Sequence, residues 1–372
     1  MRTFIKTVLL LALISTGSQM MAQDTTAAKK DSTDFGTIQL KTVKLTFNGV
    51  VDVFYGYDIN QPDGKSRPGF LYSYNRHNEF NVNFAMLRAK LEHDRVRASV
   101  ALMAGTYANA NLSAEPATLQ HVFEANAGLR IAKGLWADAG IFASHIGFES
   151  AIGKDNWTLT RSIAADNTPY YLSGLKLTYG INDHWTVGAL VCNGWQNIQE
   201  TAGNSNKAAG TWVTYTNNKV TLNYSTFIGN EKPDTAKQYR VFHNVYGIFK
   251  ITPKLGLITG FDIGMQQTVA QDSWDVWFNP TLILRYAFTD KLAMAARGEF
   301  YHDKQGVIIG TGTPNGFQTF GASLNLDYSP IEYVMLRIES RVFKSKDDIF
   351  TWNDGSATSV YPGFTASITA SF

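Results

Sequence analysis

Gly363-Phe364-Thr365-Ala366-Ser367-Ile368-Thr369-Ala370-Ser371-Phe372 ends the chain. Phe364, Ala366, Ile368, Ala370 and Phe372 alternate with Thr365, Ser367, Thr369 and Ser371. Period-two alternation marks a strand with one apolar face, because successive side chains leave opposite sides of the backbone. This strand carries its apolar set through to a terminal aromatic ring. Such an ending looks like the C-terminal signal read by the barrel-assembly machinery of bacterial outer membranes. The strand is therefore expected to close a barrel whose apolar face meets outer-membrane lipid.

The same alternation recurs upstream. Val43, Leu45, Phe47, Val51, Val53 and Tyr55 oppose Lys44, Thr46, Asn48 and Asp52. Val96, Ala98, Val100, Leu102 and Ala104 oppose Arg95, Arg97 and Ser99, and Phe123, Ala125, Ala127, Leu129 and Ile131 oppose Glu124, Asn126 and Arg130. Val220, Leu222, Tyr224 and Ile228 oppose Thr221, Asn223 and Ser225; Val334, Leu336, Ile338 and Val342 oppose Arg337, Glu339 and Arg341. Soluble sandwiches and propellers alternate too, but over strands of about five or six residues. Many segments here run to about a dozen, enough for the roughly 9 to 11 tilted residues that cross a bilayer. In residues 78–92 the apolar parity flips between Phe80, Val82, Phe84 and Leu87, Ala89, Leu91, which predicts a bulge near Ala85 or Met86.

Connections alternate short and long. Seven tight turns, at 93–94, 132–134, 182–183, 217–218, 252–254, 289–290 and 329–331, carry Asn, Asp, Gly and Pro. Eight longer polar links lie near 58–77, 108–119, 146–168, 198–206, 230–239, 267–273, 303–316 and 345–358. Fifteen connections predict sixteen strands with both termini on the short-turn, periplasmic side. The fold class is thus all-β: a transmembrane, antiparallel, up-and-down barrel over 41–372. Rings that fall near strand ends, among them Tyr57, Tyr179, Trp185, Trp274 and Tyr328, suit the interfacial girdles of such barrels.

The opposite end agrees. Arg2 and Lys6 precede the uncharged run 7–14 and a Met20-Met21-Ala22 end, so residues 1–22 are expected to be a signal peptide, with 23–40 a flexible periplasmic leader. Gln23 follows the expected cleavage point, where a lipoprotein would need Cys. Without Arg2 and Lys6, the 33 Lys and Arg fall to 31, matching 31 Asp and Glu, so no basic excess points to nucleic acid. Cys192 stands alone, which excludes an intramolecular disulfide and a Cys-based zinc site. No cofactor and no metal is expected.

The chain resembles the OmpL-like β-barrel porin family, common in Bacteroidetes. The likeness rests on 51–58 (VDVFYGYD), 76–81 (RHNEFN), 95–98 (RVRA) and above all 144–150 (SHIGFES) with 156–162 (NWTLTRS), and it spans the mature chain. The resemblance implies a channel-forming porin.

A sixteen-strand barrel is wide enough for an aqueous channel, so function lies in what narrows and charges it. The link 146–168, the third external loop, contains Phe148, Trp157, Leu159 and Ile163, with Tyr170 beside it; these are too apolar for a solvated tip, and the loop is expected to fold inward as a constriction. Glu149, Asp155, Trp157, Arg161 and Asp166 are its candidate residues. Arg88, Lys90, Arg95, Arg97, Arg130, Arg297, Arg337 and Arg341 are expected on the inner wall, where acids on the loop facing bases on the wall would set up a transverse field. The competing reading of the same charges is mutual neutralisation, Arg297 with Glu299 and Arg337 with Glu339. His77 and His145 read as turn or packing residues. Ser144-His145 with Asp138 or Asp155 does not make a triad, because adjacent strand residues face opposite ways and no nucleophile elbow is present. The expected function is passive diffusion of small hydrophilic solutes. The alternatives are a substrate-specific channel for oligosaccharides or organic anions, with Trp157, Tyr170 and Trp212 or Trp277 as a stacking path, and a structural or adhesive barrel with a blocked lumen. A plugged transporter would need far more than residues 23–40. A homotrimer is expected by analogy with other sixteen-stranded porins.

Overall fold

The computed structural model describes residues 37–372; the expected signal peptide at 1–22 and residues 23–36 of the expected leader lie outside the described residues. Residues expected to end the leader are instead a short strand, Thr37–Leu40, which folds back on Val43–Thr46.

Sixteen strands follow. They are β1 (Val43–Asp58), β2 (Phe80–Glu92), β3 (Val96–Ala104), β4 (Val122–Ala132), β5 (Leu135–Ala143), β6 (Tyr171–Gly180), β7 (Trp185–Cys192) and β8 (Ala208–Thr216). The second half comprises β9 (Val220–Asn230), β10 (Tyr239–Lys250), β11 (Leu255–Gln267), β12 (Trp274–Ala287), β13 (Leu292–Asp303), β14 (Phe317–Ile331), β15 (Val334–Ser345) and β16 (Val360–Ser371). Each pairs antiparallel with its sequence neighbours, and β16 closes on β1 in the register Gly363↔Asp58 to Ser371↔Val50. Closure leaves no edge to satisfy, which is the condition for strands to exist in hydrocarbon.

The seam ends where the sequence ends. Gly49 and Phe372 exchange backbone hydrogen bonds, Gly49 N to Phe372 O at 2.7 Å and Phe372 N to Gly49 O at 3.0 Å, and the Phe372 ring lies over Gly49 where a Cβ would stand.

Side-chain alternation sorts the wall. Leu87, Leu102, Leu129, Leu175, Leu324 and Ile338 are exposed on the outside, an apolar band that water would penalise and lipid accepts. Asp52, Asp138, Asn223, Asn244, Asn325 and Glu339 are buried on the inside. The wall is lower over β3–β8, whose strands have 8 to 11 residues, than over β10–β16, whose strands have 12 to 15.

Two parity errors in the sequence reading have bulges as their cause. The break in β2 falls at Asn83, between the pairs Asp52↔Phe84 and Val53↔Val82, not at Ala85 or Met86. Phe84 therefore turns inward, fully buried against Tyr107 and Phe123. Between Ala101↔Glu124 and Leu102↔Val122 a second bulge frees Phe123, read above as lipid-facing, to join that inner cluster.

Candidate functional site

The segment between β5 and β6 starts as a continuation of their ladder, with Ser144 N donating to Tyr170 O. It then leaves those strands for side chains of strands far around the barrel. His145 Nε2 meets Thr226 O of β9 at 2.8 Å, and Gly147 N donates to Asn244 Oδ1 of β10 at 3.2 Å. Leu159 N donates to Asn325 of β14, Thr160 N to Glu339 of β15 at 2.6 Å, and Ile163 N to Glu299 of β13 at 2.6 Å. Arg337 of β15 donates back to the carbonyls of Gly153 and Asn156, at 2.7 and 3.0 Å. A loop removed from water must satisfy its backbone groups elsewhere, and here the wall supplies Asn, Glu and Arg for that purpose. Ser162 caps the one-turn helix α1 (Ile163–Asp166) by accepting from Ala165 N.

Rings fill the remaining space over glycines. Phe148 lies on Gly260 and Trp157 on Gly256, both of β11, where a Cβ at Gly256 would approach the Trp157 ring to 2.5 Å. Replacing Gly256 with Leu should push that ring into the lumen, lowering unitary conductance and costing about 1–3 kcal/mol of stability through overpacking. Thermal melts and single-channel recordings read the two effects, and Gly256→Ala should show both more weakly.

Beneath the loop lies an ion-pair network. Arg297 Nη2 meets Glu339 at 2.9 Å and its Nε meets Glu299 at 3.3 Å; Arg341 Nη2 meets Glu299 at 2.6 Å. Arg337 pairs with Asp327 at 2.7 Å, not with Glu339. Asp327 is its direct neighbour across the β14–β15 ladder, whereas Glu339 stands two residues along the same strand and turns to Arg297 and to Thr160 of the loop. These three arginines, expected to face the loop acids across the lumen, each have a carboxylate partner on the wall. Glu149 accepts from the backbone N and the hydroxyl of Ser162 and lies 3.9 Å from Arg297. Asp166 accepts from Ser73 at 2.9 Å and pairs with Arg161 at 3.3 Å. Arg161 is held between the rings of Tyr107 and Tyr170, 4.5 and 4.6 Å from their centroids, and donates to Ala151 O. Burial pushes the carboxyls of Glu149 and Asp166 upward, against the pull of Arg297 and Arg161. Burial likewise pushes His145 down to about 4, so it is a neutral hydrogen-bonding residue. Of the loop acids, Glu149 thus comes within ion-pair distance of a wall arginine, whereas Asp166 pairs within the loop. Of the five loop candidates, Asp155 is exposed and Trp157 half-buried.

The other wall candidates separate. Arg88 pairs with Glu124 at 2.6 Å, and Arg97 pairs with Asp138 at 2.6 Å with its guanidinium 4.5 Å above Trp136. Lys90 occupies the expected inner face, while Arg130 is exposed near the end of β4. Arg95 lies outside the wall, in the exposed turn between β2 and β3.

The sequence reading missed the outer half of the interior. Phe70 and Leu71 from the first long link, Ile146 and Ile163, Ile309 and Phe350 form one buried cluster with Phe242, Trp277, Phe317 and Phe343 of the wall. Trp277 covers Gly264 and packs on Phe242, so it is core and not a stacking surface. Apolar pairs such as Phe70-Leu71 and Ile308-Ile309 inside otherwise polar, Gly-rich links were the available signal. Among the described residues no group of His, Cys, Asp and Glu is placed to hold a metal, and no helix is long and apolar enough to cross a membrane.

Solved porins share this architecture. The anion-selective porin from Comamonas acidovorans has a TM-score of 0.60 at 10% identity, over 89% of this chain and 100% of that one. The outer-membrane channel DcaP of Acinetobacter baumannii gives 0.58 at 10% identity, over 90% and 99% of the two chains. Salmonella typhi OmpF in complex with daunomycin gives 0.59 at 13%, over 91% and 100%. At such identities the likeness is one of fold. No curated protein matches the sequence. The family model for beta-barrel porin-2, OmpL-like, matches residues 44–372, nearly the whole described chain. Two of the blocks that suggested the likeness, 144–150 and 156–162, lie in the link that is bound to the wall, and the chain belongs to the OmpL-like β-barrel porin family, whose fold is an outer-membrane channel.

Proposed function

We propose that the protein is a passive channel for small hydrophilic solutes, with the 144–170 segment as its constriction. The observation that carries this reading is the attachment of that segment to inner-face side chains of strands far around the barrel. Its hydrogen bonds and ring contacts reach β9–β11 and β13–β15, while Ala151 and Ile152 join the apolar cluster of Phe84, Met86 and Met103 on β2 and β3, so the segment spans the lumen and narrows it. Asp155 is exposed and Trp157 half-buried, so these two are the candidate side chains of the segment left to border the passage. Both termini belong on the periplasmic side, where the seven tight turns lie, as is the rule for such barrels. A lumen closed by its external links is the second reading, favoured by the apolar cluster in the outer half. Swelling of proteoliposomes in sugars of graded size separates the two. The channel reading expects rates that fall with solute size; the closed reading expects none.

A homotrimer is supported by the outward positions of β3–β5. Val96, Val100, Leu102, Ala127, Leu129 and Ala137 lie there, and no ring interrupts the surface, whereas a lipid-facing wall carries aromatic girdles. Light scattering of the detergent-solubilised protein should give three chains per particle, and Ala127→Trp should reduce that number.

A further inference from the structure

Resting on the channel reading, we infer that the periplasmic half of the lumen is an anion-attracting vestibule, which makes the channel select for small anions. The inner-face charges near the short turns are unequal in number. Arg88 and Arg97 are offset by Glu124 and Asp138, Lys44 by Glu92 and Arg337 by Asp327. Lys90, Lys176, Lys250 and Arg285 occupy inner-face positions in the same half, and among the described residues none of the four has a carboxylate in ion-pair contact. Lys176 Nζ instead stands 4.8 Å over the Phe142 ring. Of the inner acids of that half, Asp52 is held by Tyr74, Asn83 and Thr369 and the others are matched by a base, so four cations against one buried carboxylate leave an excess of positive sign.

The outer half differs. Asp303 accepts from the backbone of Val307, Ile308 and Ile309, and Asp262 from Asn244, while Asp58 and Asp166 pair with Arg67 and Arg161. Charge that is not internally satisfied is thus concentrated in the half that opens to the periplasm. Low-dielectric walls focus the field of such a ring into the water it encloses, raising the local concentration of counter-ions. Partly hydrated amines and a guanidinium suit chloride, phosphate or small carboxylates, held weakly enough to leave.

The test is the reversal potential of the full-length mature barrel in a planar bilayer under a KCl gradient. A chloride-to-potassium permeability ratio several-fold above one is expected, moving to or below one in the Lys90→Glu, Lys176→Glu, Arg285→Glu variant and only partway in the matching Gln variant. A wild-type ratio at or below one, or a ratio the variant leaves unchanged, overturns the inference. Absence of any current would instead defeat the channel reading, and the vestibule is then judged in detergent by fluorescence quenching. Trp136 lies beneath Arg97, so iodide should quench a component lost in Trp136→Phe more steeply than caesium does. Equal quenching by the two ions overturns the vestibule as well.

Discussion

Replacing both Arg297 and Arg337 with Ala should raise unitary conductance several-fold and make the current noisy. These two guanidiniums hold the third link by Thr158, Thr160, Gly153 and Asn156, and they neutralise Glu299, Glu339 and Asp327. Their loss leaves those three acids and Glu149 with Arg341 as the remaining nearby base. Removing one member of a buried pair costs about 3–5 kcal/mol because its partner stays charged and desolvated. The cheapest relief is for water to enter and the segment to lift from the wall. The hydrogen bonds that the loop backbone donates to Asn325 and Glu339 are too few to resist that. Arg297→Lys alone should give a smaller rise, since an ammonium keeps the charge without the planar fork that meets Glu339 and Thr160 together. Melting of the double variant should also fall well below wild type. A conductance equal to wild type in a folded double variant would show that the segment does not limit flow.

Deleting Phe372 should cut the yield of folded barrel several-fold, read as loss of the heat-modifiable band on a denaturing gel. The deletion removes both backbone hydrogen bonds to Gly49 and uncovers the glycine at the seam, where an aromatic ring over a strand glycine is a stabilising device. Gly49→Val attacks the same contact from the other side and should reproduce part of the loss. Comparing assembly in cells with refolding in detergent separates two roles. A defect in both belongs to the seam, and a defect in cells alone belongs to recognition by the assembly machinery. No defect in either would remove Phe372 from the account.

Sixteen strands could be read from the sequence because two independent periods, the side-chain dyad and the short-long rhythm of links, agree on the count. The reading failed where one residue breaks the dyad. Asn83 and Phe123 shift the parity of everything before or after them; the flip in 78–92 is visible in the sequence but its position is not, and at Phe123 nothing local marks it, since Phe84 and Phe123 are as apolar as the lipid-facing residues they were grouped with. The charges failed for a different reason. That Arg297, Arg337 and Arg341 face inward follows from parity, but whether an inward charge meets water or a folded loop depends on contacts between residues more than 130 positions apart, such as Arg297 with Thr160. Sequence spacing carries no information about that distance. The basic vestibule escaped notice because Lys176, Lys250 and Arg285 become a set only once their strands stand at one height around the barrel.

Single-channel recording of the purified mature protein in a planar bilayer tests the central claim most directly. Stepwise, ohmic and long-lived current increments on insertion are predicted, because a sixteen-strand barrel is wide enough to keep an aqueous path beside the third link. A protein that inserts, shows the heat-modifiable fold and yet carries no current at any voltage would contradict the account and leave the barrel a closed scaffold.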